Sequence, residues 1–171
     1  DKDWDEFTIA FHFKAPKSSK AQTPISYATS AHDNNFLVYD VGNFSPYMGS
    51  SQGSVRSDGN FADGQWHAAC LTWSKKKELS SWIDGKKYKG NMDGAHTKKS
   101  LPRGGTLVLG QEQDGVGRGF NEGQAFEGSL TRVNVYSKHL FFSTSNADTN
   151  TWIPTRGVTV VNLSAPPFLP G

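Results

Sequence analysis

Trp66-His67-Ala68-Ala69-Cys70-Leu71-Thr72-Trp73 and the later Ser80-Ser81-Trp82-Ile83-Asp84-Gly85-Lys86-Lys87-Tyr88 decide the fold class. The first run is largely apolar at both odd and even positions, as in a strand covered on both faces in the middle of a sheet. In the second, Asp84-Gly85 divides two short β-type runs. Asp-Gly suits a type I′ turn, whose two central residues both need positive φ, so this stretch predicts a hairpin. Outward from there, Phe7, Ile9, Phe11 and Phe13 alternate with Thr8, Ala10 and His12, the period of a half-buried strand. Phe36-Leu37-Val38-Tyr39, Thr106 to Leu109, Leu130 to Tyr136 and Val158 to Leu163 supply further strands. No long apolar stripe at helical spacing occurs, and His139 to Asn146 holds a short helical turn at most. The expectation is an all-β fold, a two-sheet antiparallel jelly roll. It forms a single domain over residues 1–171, with the proline-bearing tail Ser164 to Gly171 as an extended surface strap.

Composition narrows the function. A chain of 171 residues suits one full core, and a net charge of +2 is too mild to imply nucleic acid without a clustered patch. Lysines bunch at Lys75-Lys76-Lys77, Lys86-Lys87 with Lys89, and Lys98-Lys99, all beside turn signals where solvated lysine is ordinary filler. No apolar run approaches the roughly 20 residues of a membrane span, and no signal-peptide pattern opens the chain. Beginning at Asp1 without Met, it reads as a mature form or an excised fragment. The single cysteine, Cys70, permits no internal disulfide and no cysteine-based zinc site. Asn43-Phe44-Ser45 and Asn162-Leu163-Ser164 match a glycosylation sequon that is common by chance.

Leu109-Gly110-Gln111-Glu112-Gln113-Asp114 places acidic and amide oxygens at the end of an apolar strand. In an extended chain the Glu112 and Asp114 carboxylates lie to one side, with the Gln113 carbonyl between them. A hard cation such as calcium takes about six to eight oxygens of this mixed kind, so the segment supplies half a site, or else a solvated acidic loop. Other motifs fail on context. Gly49-Ser50-Ser51-Gln52-Gly53 fits the hydrolase nucleophile pattern but sits in a Ser/Gly-rich turn rather than between strand and helix. Gly115, Gly117 and Gly119 lack dinucleotide-loop spacing, because Phe120 stands where the third glycine belongs. A jelly-roll glycosidase with acids at i, i+2 and i+4 would need a third acid where Val116 stands, so no catalytic residue is assigned and an enzyme is not expected.

Three blocks together resemble the pentraxin family of calcium-dependent lectins. They are Phe7 to Phe13; Ile25-Ser26-Tyr27-Ala28-Thr29 through Asp33-Asn34-Asn35-Phe36-Leu37-Val38-Tyr39; and Gly64-Gln65-Trp66-His67 through Trp82-Ile83-Asp84-Gly85 and the Glu112 segment to Gly128. The order and spacing hold from about residue 6 to residue 136. The resemblance implies a sandwich of legume-lectin or laminin-G shape that lacks the family's leading strand.

It also implies two adjacent calcium ions. Asp33, Asn34, Glu112, Asp114 and the Gln113 carbonyl would hold the first; Glu112, Asp114 and Gln124 would hold the second, with an acid from the Gly115 to Gly123 loop. That acid is replaced here by Asn121. Three negative charges then face four positive ones, so a firm first site and a weaker second one are expected. Tyr39 and Tyr47 resemble the aromatic pair lining the family's ligand pocket, which takes anionic groups such as phosphoethanolamine-like head groups of phospholipids or acidic glycans. The family's disulfide would join the positions of Ala10 and Cys70, and only the cysteine remains. The stretch from Leu140 to Trp152 looks too short for the family's helix. A secreted, extracellular, non-enzymatic lectin that assembles as a cyclic homo-oligomer follows. The alternative is a laminin-G-like adhesion module with little need of calcium.

Overall fold

The computed structural model describes residues 2–49, 51–54, 60–75, 77–89, 91–92 and 100–140. The expected strand Val158 to Leu163, the tail from Ser164, the second sequon, and the chain from residue 141 that would carry a helical turn all lie outside them.

Two antiparallel sheets form the structure. In the first, β1 (Glu6–Lys14) and β6 (Trp66–Ser74) are flanked by β11 (Ser129–Tyr136) on one side and by β7 (Lys77–Ile83) and β8 (Lys86–Lys89) on the other, in the order β11-β1-β6-β7-β8. The second comprises β2 (Ile25–Thr29), β3 (His32–Asp40), β4 (Ser45–Met48), β5 (Ser51–Ser54), β9 (Asn91–Met92) and β10 (Thr106–Leu109), in the order β10-β2-β3-β4-β5-β9. The expected central strand is β6, which pairs with β1 and β7 and is buried from Ala68 to Ser74. The expected hairpin joins β7 to β8, with Asp84 and Gly85 both at positive φ (50° and 78°), as the type I′ turn requires.

The core lies between the sheets. The alternating set Phe7, Ile9, Phe11 and Phe13 packs with Leu71 and Trp73 of β6 against Ile25, Phe36 and Val38 of the second sheet. The Phe7 ring meets Phe36 edge-on at 5.0 Å and Trp73 at 5.5 Å, geometry that adds to the area each ring buries. The opposite parity of the first sheet carries a smaller cluster of Ala10, Cys70, Trp82 and Tyr136, joined by Leu140 beyond the end of β11. Among the described residues no helix is long and apolar enough to cross a membrane. The nucleophile-like pattern sits in a hairpin, with β4 ending at Met48, Gly49 at positive φ and β5 starting at Ser51. Ser51, the serine of the pattern, stands in strand β5 rather than at a strand-to-helix turn, so the elbow geometry does not arise. Lys87 and Lys86 stand over the Trp82 and Tyr88 rings at 5.0 and 5.1 Å, which uses them as cation–π partners.

One polar strut ties the start of β6 to its surroundings. His67 Nδ1 lies 2.7 Å from Asp84 Oδ2 and Nε2 lies 3.0 Å from Asp63 Oδ1, with the ring held between Phe13 and Phe61. Only the imidazolium can donate to both carboxylates at once. Burial opposes the charged ring and is the largest single effect. The hydrogen bonds and charges of Asp84 and Asp63 together outweigh it, so His67 titrates above its ordinary value. A raised folded pKa gives stability that is full below the unfolded value, about pH 6.5, and lost as pH rises through the folded one. Because both carboxylates are more than a third exposed, the expected loss is about 1 kcal/mol. Chemical denaturation on either side of that window should show the loss in the native chain and not in His67→Gln.

Candidate metal centre

The segment that carries the candidate donors lies on the outer face of the second sheet. Leu37 pairs with Tyr47 on one side and Ser26 on the other, and Ser26 pairs with Val108, so these four form one row across the sheet. Small Ser26 and Ala28 leave room there for the chain that follows β10. Ser26 Oγ donates to the Gln111 carbonyl at 2.6 Å and accepts from Gln113 Nε2 at 3.0 Å. Gln113 Nε2 also donates to the Thr106 carbonyl, while its Oε1 accepts the Gly117 N–H at 2.8 Å. The Gln113 side chain is therefore a fully buried strut, and its backbone carbonyl is the oxygen left to serve as a ligand.

Asp33 and Asn34 owe their position to a bulge. Between the pairs Tyr27–Phe36 and Thr29–His32, β2 contributes Ala28 alone while β3 contributes Asp33, Asn34 and Asn35. The surplus residues bend the strand and re-aim its side chains, which is how a strand end becomes a ligand loop. A second bulge leaves Tyr39 unpaired between Val38–Pro46 and Asp40–Ser45. Tyr39 meets Tyr47 edge-on at 5.7 Å, so the two tyrosines singled out in the sequence stand together. Burial first, and then Tyr39 and Asp40, push the Tyr47 hydroxyl above its usual pKa.

Glu112 is almost wholly buried, and burial, then the charges of Asp114 and Asp33, raise its pKa. The Asp114 and Asp33 carboxylates thus both lie within electrostatic reach of Glu112. They do not form an acid-only cage: among the described residues no three His, Cys, Asp or Glu side chains are grouped so as to hold a metal ion. What accompanies them is a set of unmatched oxygens. Glu112 Oε2, Asn34 Oδ1 and Gln111 Oε1 are buried without a hydrogen-bond partner. A buried acceptor left unpaired costs about 1–3 kcal/mol, and a cation relieves that cost where another acceptor cannot. Calcium takes carboxylate, amide and carbonyl oxygens together, so this donor set fits it better than zinc. Gln111 lies in the acidic segment quoted from the sequence but is not among its expected ligands, and its place beside Glu112 is the one signal that points to it.

The other half of the expected site is differently employed. Asn121 caps a short 3-10 turn, Glu122–Gln124, with Oδ1 accepting the Gly123 N–H at 2.8 Å. The turn is moored to the segment leading into β2 by the Thr23 N–H, which donates to the Gln124 carbonyl at 3.0 Å, and by a Lys20–Glu127 ion pair. The buried Gln22 side chain adds a bond from the Glu127 N–H. Between Asp114 and this turn the chain doubles back at Gly115–Arg118, and Gly119 presses on Asp114. A Cβ at Gly119 would stand 2.6 Å from Asp114 Cβ, at a φ of +76°. Gly119→Ala is therefore expected to cost about 1–3 kcal/mol and to weaken calcium binding, measured by melting with and without calcium.

The sequence profile of the Pentaxin family matches residues 1–148. C-reactive protein 1.1 of Limulus polyphemus is 34% identical over 139 residues, 79% of this chain and 57% of that protein. Neuronal pentraxin-2 of Mus musculus is 30% identical over 149 residues, 84% of this chain and 34% of its own length. The chain thus spans 57% and 34% of the lengths of these two relatives, less than two thirds of each. Among solved structures, the native heptameric SAP-like pentraxin from Limulus polyphemus superposes with a TM-score of 0.70 at 23% identity, covering 92% of this chain and 82% of that one. At that identity the likeness establishes the fold, the two-sheet jelly roll expected from the sequence. The family is one of non-enzymatic pattern-recognition proteins that are generally calcium-dependent. By the extent of the profile match and the identity to its relatives, the chain belongs to the pentaxin family, the pentraxins of the resemblance.

Proposed function

We propose that the chain is a calcium-dependent lectin domain, spanning residues 1–171, that recognises phosphate- or carboxylate-bearing ligands outside the cell. The observation that carries this reading is the buried, unpartnered Glu112 Oε2 within electrostatic reach of Asp114 and Asp33, with the side-chain oxygens of their chain neighbours Asn34 and Gln111 likewise buried and unpartnered. Asp33, Asn34, Glu112, Asp114 and the Gln113 carbonyl hold one calcium firmly. Asn121 and Gln124 complete a second, weaker site with Glu112 and Asp114, because Asn121 brings no charge and its oxygen already caps a turn. Two calcium ions against three carboxylates leave an electron-poor pair that an anionic ligand completes. Tyr39 and Tyr47 form the wall that meets the rest of that ligand. Assembly into a cyclic homo-oligomer accords with the heptameric state of the SAP-like pentraxin from Limulus polyphemus.

Retention on immobilised phosphoethanolamine tests this directly. The chain is expected to bind in calcium and to elute with chelator. Tyr47→Ala should weaken binding about tenfold without changing calcium affinity. Equal retention in calcium and chelator would refute the reading.

A further inference from the structure

Four large apolar side chains among the described residues are markedly exposed: Trp66 (52%), Leu109 (42%), Val116 (39%) and Phe120 (51%). Single exposed apolar residues are ordinary on any protein surface. Here three of the four fall within the short run from Leu109 to Phe120 that carries the candidate calcium ligands.

The shape of that run argues against an idle loop. The Arg118 N–H donates to the Gly115 carbonyl at 3.1 Å, closing a tight turn whose corner residues are Val116 and Gly117. Gly117 has φ +66°, whereas Val116 is not among the positive-φ residues, which gives the dihedral order of a type II turn. Val116 therefore occupies the projecting corner. The turn is held from below by the Gly117 N–H bond to buried Gln113 Oε1 and by the contact of Gly119 with Asp114. A β-branched residue at a braced, exposed corner and a half-exposed phenylalanine after it cost solubility and add nothing to the core. Arg118, also exposed, lies between them in sequence.

We propose that this turn is a lipid-contacting wedge: Val116 and Phe120 enter the acyl boundary of a phospholipid surface while Arg118 and the calcium centre hold its phosphates. The proposal rests on the calcium reading above and deepens it by naming a membrane, rather than a free sugar or a soluble phosphate monoester, as the ligand source. The argument is complementarity. A soluble anion satisfies the cations and leaves the two apolar side chains in water. A bilayer offers phosphate to the cationic groups and hydrocarbon to the apolar ones, so each additional buried methylene adds to binding.

The test compares one head group in three forms, all in calcium: soluble O-phosphoethanolamine, beads bearing phosphoethanolamine, and phosphatidylethanolamine–phosphatidylcholine vesicles. Val116→Ser combined with Phe120→Ser is expected to lower vesicle binding about tenfold or more and to leave binding to the soluble compound and the beads within about twofold. A fluorophore on Val116→Cys, with Cys70 buried and unreactive, should shift to the blue on vesicles and not on the soluble compound. Vesicle binding unchanged by the double substitution overturns the wedge, as does equal loss in all three forms. If the native chain binds soluble compound and beads but not vesicles, the wedge fails and the calcium reading stands. If it binds none of the three, both fail.

Discussion

Glu112→Gln is expected to abolish calcium-dependent stabilisation while leaving the calcium-free protein as stable as the native chain, or more so. Glu112 is 3% exposed with Oε2 unpartnered, and its neighbours Asp114 and Asp33 add like charge. Without metal, this carboxylate is a liability of about 1–3 kcal/mol, which the neutral amide reduces. With metal, it is the donor shared by both proposed ions, and its loss should lower affinity roughly a hundredfold or more, since losing even an outer partner of a ligand costs about 10–100-fold. Native protein at a calcium concentration about a hundred times Kd should gain about 2.7 kcal/mol over protein in chelator. Melting curves of both proteins in calcium and in chelator therefore give four values. The native pair should separate widely, and the variant pair should coincide at or above the native chelator value. A variant that melts well below native protein in chelator would mean that Glu112 supports the fold through contacts of its own.

Ala10→Cys is expected to form a disulfide with Cys70 and to raise stability by about 2–4 kcal/mol. Ala10 and Cys70 are direct partners across β1 and β6, and both lie in the small cluster with Trp82, Tyr136 and Leu140. Facing Cα atoms in an antiparallel pair are about 4.5–5.5 Å apart, inside the range a disulfide spans. The closed loop of roughly 60 residues predicts about 4 kcal/mol by chain entropy, and strain in the buried cluster reduces it. In a domain of this size the gain corresponds to about 5–15 °C in melting temperature. Calorimetry of the oxidised and reduced variant should show that difference, and thiol titration of the denatured oxidised form should find no free thiol. Coincident melting temperatures would show that the pair cannot take the bond without distortion. Burial pushes the Cys70 thiol well above its ordinary pKa, so oxidation is best carried out during refolding.

The first sheet was legible because its strands follow simple chemical rules. Phe7 to Phe13 alternates in the period of a strand with one face on a core, and the Asp84-Gly85 turn needs the positive φ values that it has. The second sheet was legible only in part. Ile25 to Thr29 carries serine and alanine on its outer face because the acidic segment folds over it, so the strand lacks the polar face that alternation leads one to expect. Pro46 and the Ser-Gln-Gly-Ser run of Ser51–Ser54 likewise give no strand signal, and their place follows from pairing with β3 and with each other.

The candidate site divides in the same way. Spacing brought Glu112 and Asp114 to attention, but the Asp33 bulge, the Gln113 strut and the unpartnered Gln111 oxygen depend on contacts across the sheet that local sequence does not encode. The sequence predicts Asn121 as a ligand weakened by lost charge. Its role as a turn cap adds a second reason for weakness, because the same oxygen already accepts the Gly123 N–H.

Titration of calcium into the metal-free chain by calorimetry tests the central claim most directly. The expected isotherm has one tight event and a second at least about tenfold weaker, with both removed in Glu112→Gln. Absence of calcium binding, two tight equivalent sites, or an isotherm unchanged by the Glu112 substitution would contradict it.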